Sequence, residues 1–296
     1  MDKLITILTP IYNRANVINN LYNSLLSQTS YNFEWLIIDD GSTDDLESKV
    51  KSFSTIKFDI HYIKKENGGK HTAINVGIDE IKSKLTFIVD SDDILEKNAI
   101  ERIELYYSIY KTDISLCGFS FLRKYPDGKI NGKKFKNNEL IGSYYEIRVK
   151  GNDTNSDKAE VYFTDILKKY PFPEFENEKF LGEDIVWMQI AKKFNMIHIN
   201  EAIYIGDYQT DGLTKNRITN NIKSPRGCYE RAKIFLQFRL PFKLKIKNIV
   251  QLYIYGGYAH IPFIERLNVS NHKFMFLLLV IPSFFYKKLF LKKGGN

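Results

Sequence analysis

An apolar run ends in three carboxylates at residues 86–95, "TFIVDSDDIL". Like charges this close repel, so Asp90, Asp92 and Asp93 call either for a nearby cation or for a solvated turn followed by a helix cap. Asp90 and Asp92 alternate along the chain, and both can approach one ion if the strand end bends. Such oxygen ligands suit Mg2+ or Mn2+, which also hold phosphate oxygens. Three other segments carry matching chemistry. In "NGGKHTAIN" (67–75), Lys70 stands beside two glycines at a helix start, where an ammonium and backbone amides can reach a phosphate. "IIDDGSTD" (37–44) offers Asp40 as a hydrogen-bond acceptor for a nucleobase, and "TPIYN" (9–13) offers the Tyr12 ring to stack on it. Together these parts describe a site for a nucleoside diphosphate.

The elements that must position these residues alternate. Residues 3–8 are an apolar run broken by "TPIYNR", and residues 14–27 place Val17, Leu21 and Leu25 on one face of a helix. "FEWLIIDD" reads as a second strand, with a capping turn at Gly41-Ser42-Thr43-Asp44. "FDIHYIK" is a third strand. "NGGKHTAINVGIDEIK" is a glycine turn feeding a helix, "LTFIVD" a fourth strand, and residues 95–110 a further helix. Repeated βα units imply an α/β fold, a doubly wound, mostly parallel sheet with helices on both faces. Ligands bind such sheets at the carboxyl ends of the strands. That rule gathers Thr9, Tyr12, Asp39, Asp40, residues 67–70 and residues 90–93 along one edge. Further on, "ISLCGFSFLRKYPDGKINGKKF" reads as a strand and a hairpin with Pro-Asp-Gly at its turn. "FLGEDIVWMQIAKKF" starts a helix with Glu183 and Asp184 in its first turn.

Charge is divided unevenly along the 296 residues, whose net charge is +8. Residues 217–296 carry 15 Lys/Arg against 2 Asp/Glu, whereas residues 1–120 carry 13 against 18. The tail also holds "KFMFLLLVIPSFFYKKLFLKK", an apolar run interrupted by Pro282 and too short to span a bilayer, which takes about 20 apolar residues. A basic segment of this kind fits a helix lying in the plane of an anionic membrane surface. No recognition motif supports nucleic acid as a partner. Two cysteines, Cys117 and Cys228, lack metal or redox spacing and read as reduced thiols, and the N-terminal segment does not fit a signal peptide. These features lead to the expectation of a cytoplasmic protein peripheral to the inner face of the cell membrane.

The order "TPIYN", "IIDDGSTD", "NGGKHTAIN", "FIVDSDDIL", "GED" resembles the family 2 glycosyltransferases of GT-A fold, over roughly the first 215 residues. The resemblance implies a Rossmann-like GT-A domain over residues 1–215 and a basic helical region over 216–296. It also implies inverting, metal-dependent transfer of a sugar from a nucleotide donor, expected to be UDP-linked, to a saccharide acceptor. On the matching motifs, Asp40 contacts uracil, Tyr12 lies against the base with Thr9 at the same strand end, and Lys70 lies near the diphosphate. Asp92 holds Mn2+ or Mg2+, while Asp90 lies towards the ribose and metal-bound water. The catalytic base maps to Asp184, with Glu183 as a second candidate. The basic tail adds a lipid-linked acceptor, in bacterial capsule, exopolysaccharide or O-antigen assembly.

Other residues have blander readings. Asp39 is expected to bond the Gly41-Ser42 turn and Asp93 to cap the helix after it. His71 is expected to line the pocket and His198 to be satisfied in the core. Trp187 reads either as an acceptor platform or as core, and Asp211 in "YQTDGLT" is the available third metal ligand. A nucleotidyltransferase would place a glycine-rich loop after its first strand, which "TPIYNR" lacks. A non-catalytic sugar-nucleotide or glycan-binding relative would lack the metal or base carboxylate, and both are present.

Overall fold

The computed structural model describes residues 3–154, 156–206 and 217–293. Among the described residues nine strands form one sheet: β1 (Ile5–Ile11), β2 (Phe33–Asp39), β3 (Ile60–Lys64), β4 (Leu85–Ile88), β5 (Ile94–Leu95), β6 (Leu116–Lys124), β7 (Leu140–Gly142), β8 (Lys158–Phe163) and β9 (Asn195–Ile205). Their order is β3-β2-β1-β4-β8-β6-β9-β5, with β7 also paired to β9. The first four strands are parallel. Beyond β4 the sheet is mixed, because β8 runs antiparallel to both β4 and β6 while β6 and β9 are parallel. The parallel half is crossed by α1 (Ile18–Leu26), α2 (Leu46–Lys51) and α3 (Lys70–Glu80), and α4 (Ala99–Tyr110) follows β5.

Every residue of β1 is buried, as expected for a central parallel strand covered on both faces. On one face Ile5, Ile7, Phe33, Trp35, Phe87, Phe119 and Phe121 form the main core. On the other, α3 lies close over β1 because Gly77 has no side chain. A Cβ there would sit 2.3 Å from Leu8 Cδ1 and 3.2 Å from Ile38 Cγ1. His198 faces the interior of β9, fully buried, with Nε2 3.1 Å from the Gly142 carbonyl oxygen. The Pro-Asp-Gly turn closes a hairpin at the end of β6, with the Gly128 N–H donating to Tyr125 O at 2.9 Å.

Several boundaries differ from the sequence-based expectation: β1, for one, runs on through Thr9 and Pro10 to Ile11 instead of breaking after residue 8. The first helix starts at Ile18, not at residue 14, because Asn13 has a positive φ of 51° and the Ala15 N–H donates to Asp44 at 2.9 Å. The segment before Ile18 is thereby drawn into the loop cluster. The helix after the acidic run starts at Ala99, since Ile94 and Leu95 pair with Ile205 and Tyr204 as β5.

The chain divides into two compact units. One takes the residues up to 171 together with β9; the other takes residues 172–189 and the C-terminal helices. Between β8 and β9 come α5 (Thr164–Leu167) and α6 (Asp184–Ile190). After β9 come α7 (Arg217–Lys223), α8 (Pro225–Phe235), α9 (Phe242–Tyr258), α10 (Phe263–Val269) and α11 (Lys273–Lys293). Tyr229, Phe235, Ile249, Leu252 and Phe276 are buried in this helical unit. Among the described residues no helix is long and apolar enough to cross a membrane.

Candidate active site

The carboxyl ends of β1, β2 and β4 and the N-terminus of α3 hold most of the candidate residues. At the end of β2, Asp39 is fully buried and accepts from the Ser42 N–H at 2.7 Å and the Tyr62 hydroxyl at 2.5 Å. It therefore holds the Gly41-Ser42 turn, as its position suggested. Ser42 Oγ in turn accepts from the Asn13 N–H at 2.9 Å, and Asn13 Oδ1 from the Thr43 N–H at 2.8 Å, which fastens the β1 loop to the β2 loop. Gly41 is required in that turn: its φ is 80°, and a Cβ would lie 2.8 Å from Asn67 N.

Asp40 organises the next loop. Its carboxylate is buried and accepts from Lys65 Nζ (2.9 Å), Asn67 Nδ2 (3.1 Å), Gly68 N–H (2.9 Å) and Gly69 N–H (2.7 Å). Four donors match the capacity of an ionised carboxylate. Lys65 spends its other two protons on Thr72 Oγ1 at 2.8 Å and Glu66 O at 2.5 Å. The structure thus gives Asp40 the task of shaping the glycine turn that launches α3. Thr9 is also buried, its hydroxyl accepting from the Trp35 indole N–H at 3.0 Å, so its side chain faces the core rather than the strand edge. Tyr12, by contrast, is 47% exposed just beyond β1.

Lys70 is the first residue of α3, and its Nζ lies 2.5 Å from Asp90 Oδ1. Residues 90–93 form a turn closed by the Asp93 N–H donating to Asp90 O at 3.2 Å, which is the bend needed to bring Asp90 and Asp92 to one place. Burial would raise the Asp90 carboxyl, but the Lys70 ammonium outweighs it and holds the group below the usual carboxylate range. Asp92 moves the other way. Burial and then the negative charge of Asp90 push its carboxyl up, against the weaker pull of Arg14 and Lys70. Two neighbouring carboxylates, the charge of Asp90 raising Asp92, are suited to a divalent cation bridging protein and phosphate oxygens. Among the described residues no group of three or more His, Cys, Asp or Glu is arranged to hold a metal. A two-carboxylate set still fits Mg2+ or Mn2+, whose other ligands are commonly water and substrate phosphate. Asp211, the suggested third ligand, lies outside the described residues.

Asp93 is not a helix cap. Its carboxylate is buried and accepts from Arg123 Nη2 and the Tyr204 hydroxyl, each at 2.7 Å. The cap position before α4 is Asn98. The Asp90 N–H donates to the same Tyr204 oxygen at 3.0 Å, and the Arg123 guanidinium stacks 4.1 Å above the Tyr204 ring. Strands β6 and β9 thereby fix the acidic turn from beneath. Sequence reasoning missed Arg123, Tyr204 and Lys65, because they come from distant strands or from a plain strand end with no motif of their own.

Asp184 and Glu183 belong to the helical unit. Asp184 opens α6, and its carboxylate is held in a two-pronged ion pair by Arg231 of α8, with Nε to Oδ1 at 2.6 Å and Nη2 to Oδ2. The segment before it is fastened to the same helix. Glu178 accepts from the Arg226 and Gly227 N–H groups at 2.6 and 2.8 Å, capping α8, and Ser224 Oγ accepts from the Phe180 N–H at 3.1 Å. Glu183 is half-buried beside Asp184, and its carbonyl accepts from the Val186 N–H at 3.0 Å. Trp187 is buried edge-on against Phe172 at 5.8 Å, which gives it a core role. Both cysteines are free thiols, and burial pushes the Cys117 thiol up to about 12. His71 is buried at the start of α3.

A parallel βαβ half with an acidic turn at the fourth strand, an extended mixed sheet beyond it and C-terminal helices is the GT-A class of fold. Residues 6–164 match the model of glycosyl transferase family 2, and the chain belongs to that family. It is 36% identical to the glycosyltransferase GlyG of Streptococcus pneumoniae, over 69% of this chain and 71% of GlyG. It is 31% identical to the glycosyltransferase GlyA of the same organism, again over 69% of this chain, but spans only 30% of GlyA. Among solved structures it resembles residues 1–349 of S. aureus TarS in complex with UDP-GlcNAc (TM-score 0.62, 19% identity, 90% of this chain and 79% of that one). It also resembles the mannosyltransferase PcManGT of Pyrobaculum calidifontis in complex with GDP-Man and Mn2+ (TM-score 0.59, 14% identity, 98% and 85%).

Proposed function

We propose that this chain is an inverting, metal-dependent glycosyltransferase that moves a sugar from a UDP-sugar to a saccharide acceptor carried on a lipid, at the inner face of a bacterial membrane. The observation that carries this reading is the meeting of Lys70 with Asp90, and of Asp92 beside them, at the strand edge where the loop shaped by Asp40 starts α3. Family membership supports it, and the UDP-GlcNAc complex of the TarS neighbour supports a UDP-linked donor.

The roles follow from charge and reach. Tyr12 offers an exposed ring for the base, while Asp40 keeps the glycine turn in shape for the diphosphate. Lys70 supplies positive charge for the diphosphate and, with Arg14, offsets the acidic turn. Asp92, assisted by Asp90, would hold Mg2+ or Mn2+. Such an ion, when bound, neutralises charge developing on the departing nucleoside diphosphate. In an inverting reaction the acceptor hydroxyl attacks the anomeric carbon opposite the leaving group, and a base must take its proton. Asp184 fits that role because it opens α6 and the Arg231 pair fixes the orientation of its carboxylate. Donor binding and catalysis are assigned to about residues 1–215 and membrane contact to 216–296. The products expected are capsule, exopolysaccharide or O-antigen chains.

Asp184→Asn should abolish transfer while leaving UDP binding at the parental level, measured by transfer to a saccharide acceptor and by calorimetric titration. Full transfer activity in that variant would move the base to Glu183 or elsewhere.

A further inference from the structure

Helix α11 has two unlike sides. Phe276 and Ser283 are buried, and the Phe276 ring meets Phe263 at 5.7 Å and Tyr253 at 6.0 Å, both edge-on. The opposite side presents Phe274, Leu277, Leu278 and Ile281, exposed at 76%, 50%, 61% and 69%. At helical spacing these four fall within an arc of about 100°. Large apolar side chains grouped on one exposed stripe mark a surface that something covers.

The charge around the stripe decides between occupants. The chain from 217 onward holds 15 Lys/Arg and 2 Asp/Glu, with Lys273 opening α11 and Lys287, Lys288, Lys292 and Lys293 near its end. A second copy of this face would bring like charge against like. An anionic bilayer surface presents the opposite sign over the same distances, and each lysine near it strengthens binding. We propose that the Phe274–Leu277–Leu278–Ile281 stripe is the face through which this chain docks on anionic lipid, with α11 lying in the interface plane. This rests on the membrane-surface reading above and assigns it to four named side chains. The apolar stripe supplies the part of the binding that salt does not screen.

The test is vesicle co-sedimentation of the full chain. Parent protein is compared with a variant carrying Phe274→Ser, Leu277→Ser, Leu278→Ser and Ile281→Ser, on phosphatidylglycerol/phosphatidylcholine vesicles and on phosphatidylcholine alone. The expected result is binding of the parent to the anionic vesicles, partly retained at 0.5 M NaCl, and at least a tenfold loss in the variant. All four positions are exposed, so the melting temperature should be unchanged; should the fourfold variant fail to fold, Leu278→Glu alone carries the same expectation. Parental binding by a folded variant would overturn the stripe as the docking face while leaving the membrane reading intact. No binding of the parent to either vesicle would overturn the membrane reading itself. A parent that is dimeric in sedimentation velocity, and monomeric once the stripe is changed, with lipid binding unaltered, would assign the stripe to a second copy.

Discussion

Asp40→Asn separates two tasks that one carboxylate could perform. In the structure the Asp40 oxygens accept four hydrogen bonds, two of them from the Gly68 and Gly69 amides of the turn that starts α3. An asparagine is nearly isosteric but has one acceptor oxygen, and its amide protons would point at donors. At least two of the four donors then lose their partner. Each bond to a charged acceptor is worth about 1.5–3 kcal/mol, and neighbouring losses add incompletely, so the expected cost is about 3–4 kcal/mol. For a unit of this size that corresponds to a fall in melting temperature of roughly 6–15 °C. Hydrogen exchange should localise the effect, with the Gly68 and Gly69 amides and the first turn of α3 losing protection before the rest of the sheet. UDP affinity would fall as a consequence, because Lys70 is the first residue of that turn. Parental exchange rates at Gly68 and Gly69 together with lost UDP binding would refute this reasoning, and would return Asp40 to direct contact with the base.

Two further outcomes are expected. Tyr204→Phe removes the hydroxyl that accepts from the Asp90 N–H and donates to Asp93, leaving a part-buried amide without this partner at a cost of about 1–3 kcal/mol. The Mn2+ concentration for half-maximal activity should rise severalfold with little change in KM for the donor; an unchanged Mn2+ requirement would mean that Arg123 alone holds the turn. His198 is buried and its imidazole is pushed down to about 4, first by burial. The unfolded chain protonates near 6.5 and the native state only near 4, so this stability is complete above about pH 6.5 and is lost as pH falls towards 4, on the order of 3 kcal/mol in all. Urea midpoints from pH 7 to 4.5 should show that slope in the parent and a shallower one in His198→Gln; equal slopes would remove His198 from the acid response.

Much of the parallel half of the fold was readable, because β1, β2 and β4 are continuous apolar runs whose ends are marked by polar loops, and the βα alternation fixes where those ends lie. The pairing of Lys70 with the acidic turn followed from that placement. The reading of Asp93 failed for a physical reason. Capping preference is local, whereas Ile94 and Leu95 were drawn into the sheet by β9, and a guanidinium from β6 reached the carboxylate first. Thr9 was placed at the strand edge by position alone, and only burial against Trp35 shows which way its side chain faces. The same limit hid Arg231: nothing within a basic helix distinguishes an arginine that grips Asp184 from those that cover surface.

In the function proposed above, the acidic turn works through a divalent cation in sugar transfer from a nucleotide donor. Its most direct test is UDP release from a panel of UDP-sugars with and without Mn2+, comparing the parent with Asp92→Asn. The parent should release UDP from at least one donor in an Mn2+-dependent manner abolished by EDTA, and Asp92→Asn should lose at least a hundredfold with the fold intact by circular dichroism. Release that is indifferent to EDTA, or that survives Asp92→Asn at the parental rate, would contradict it.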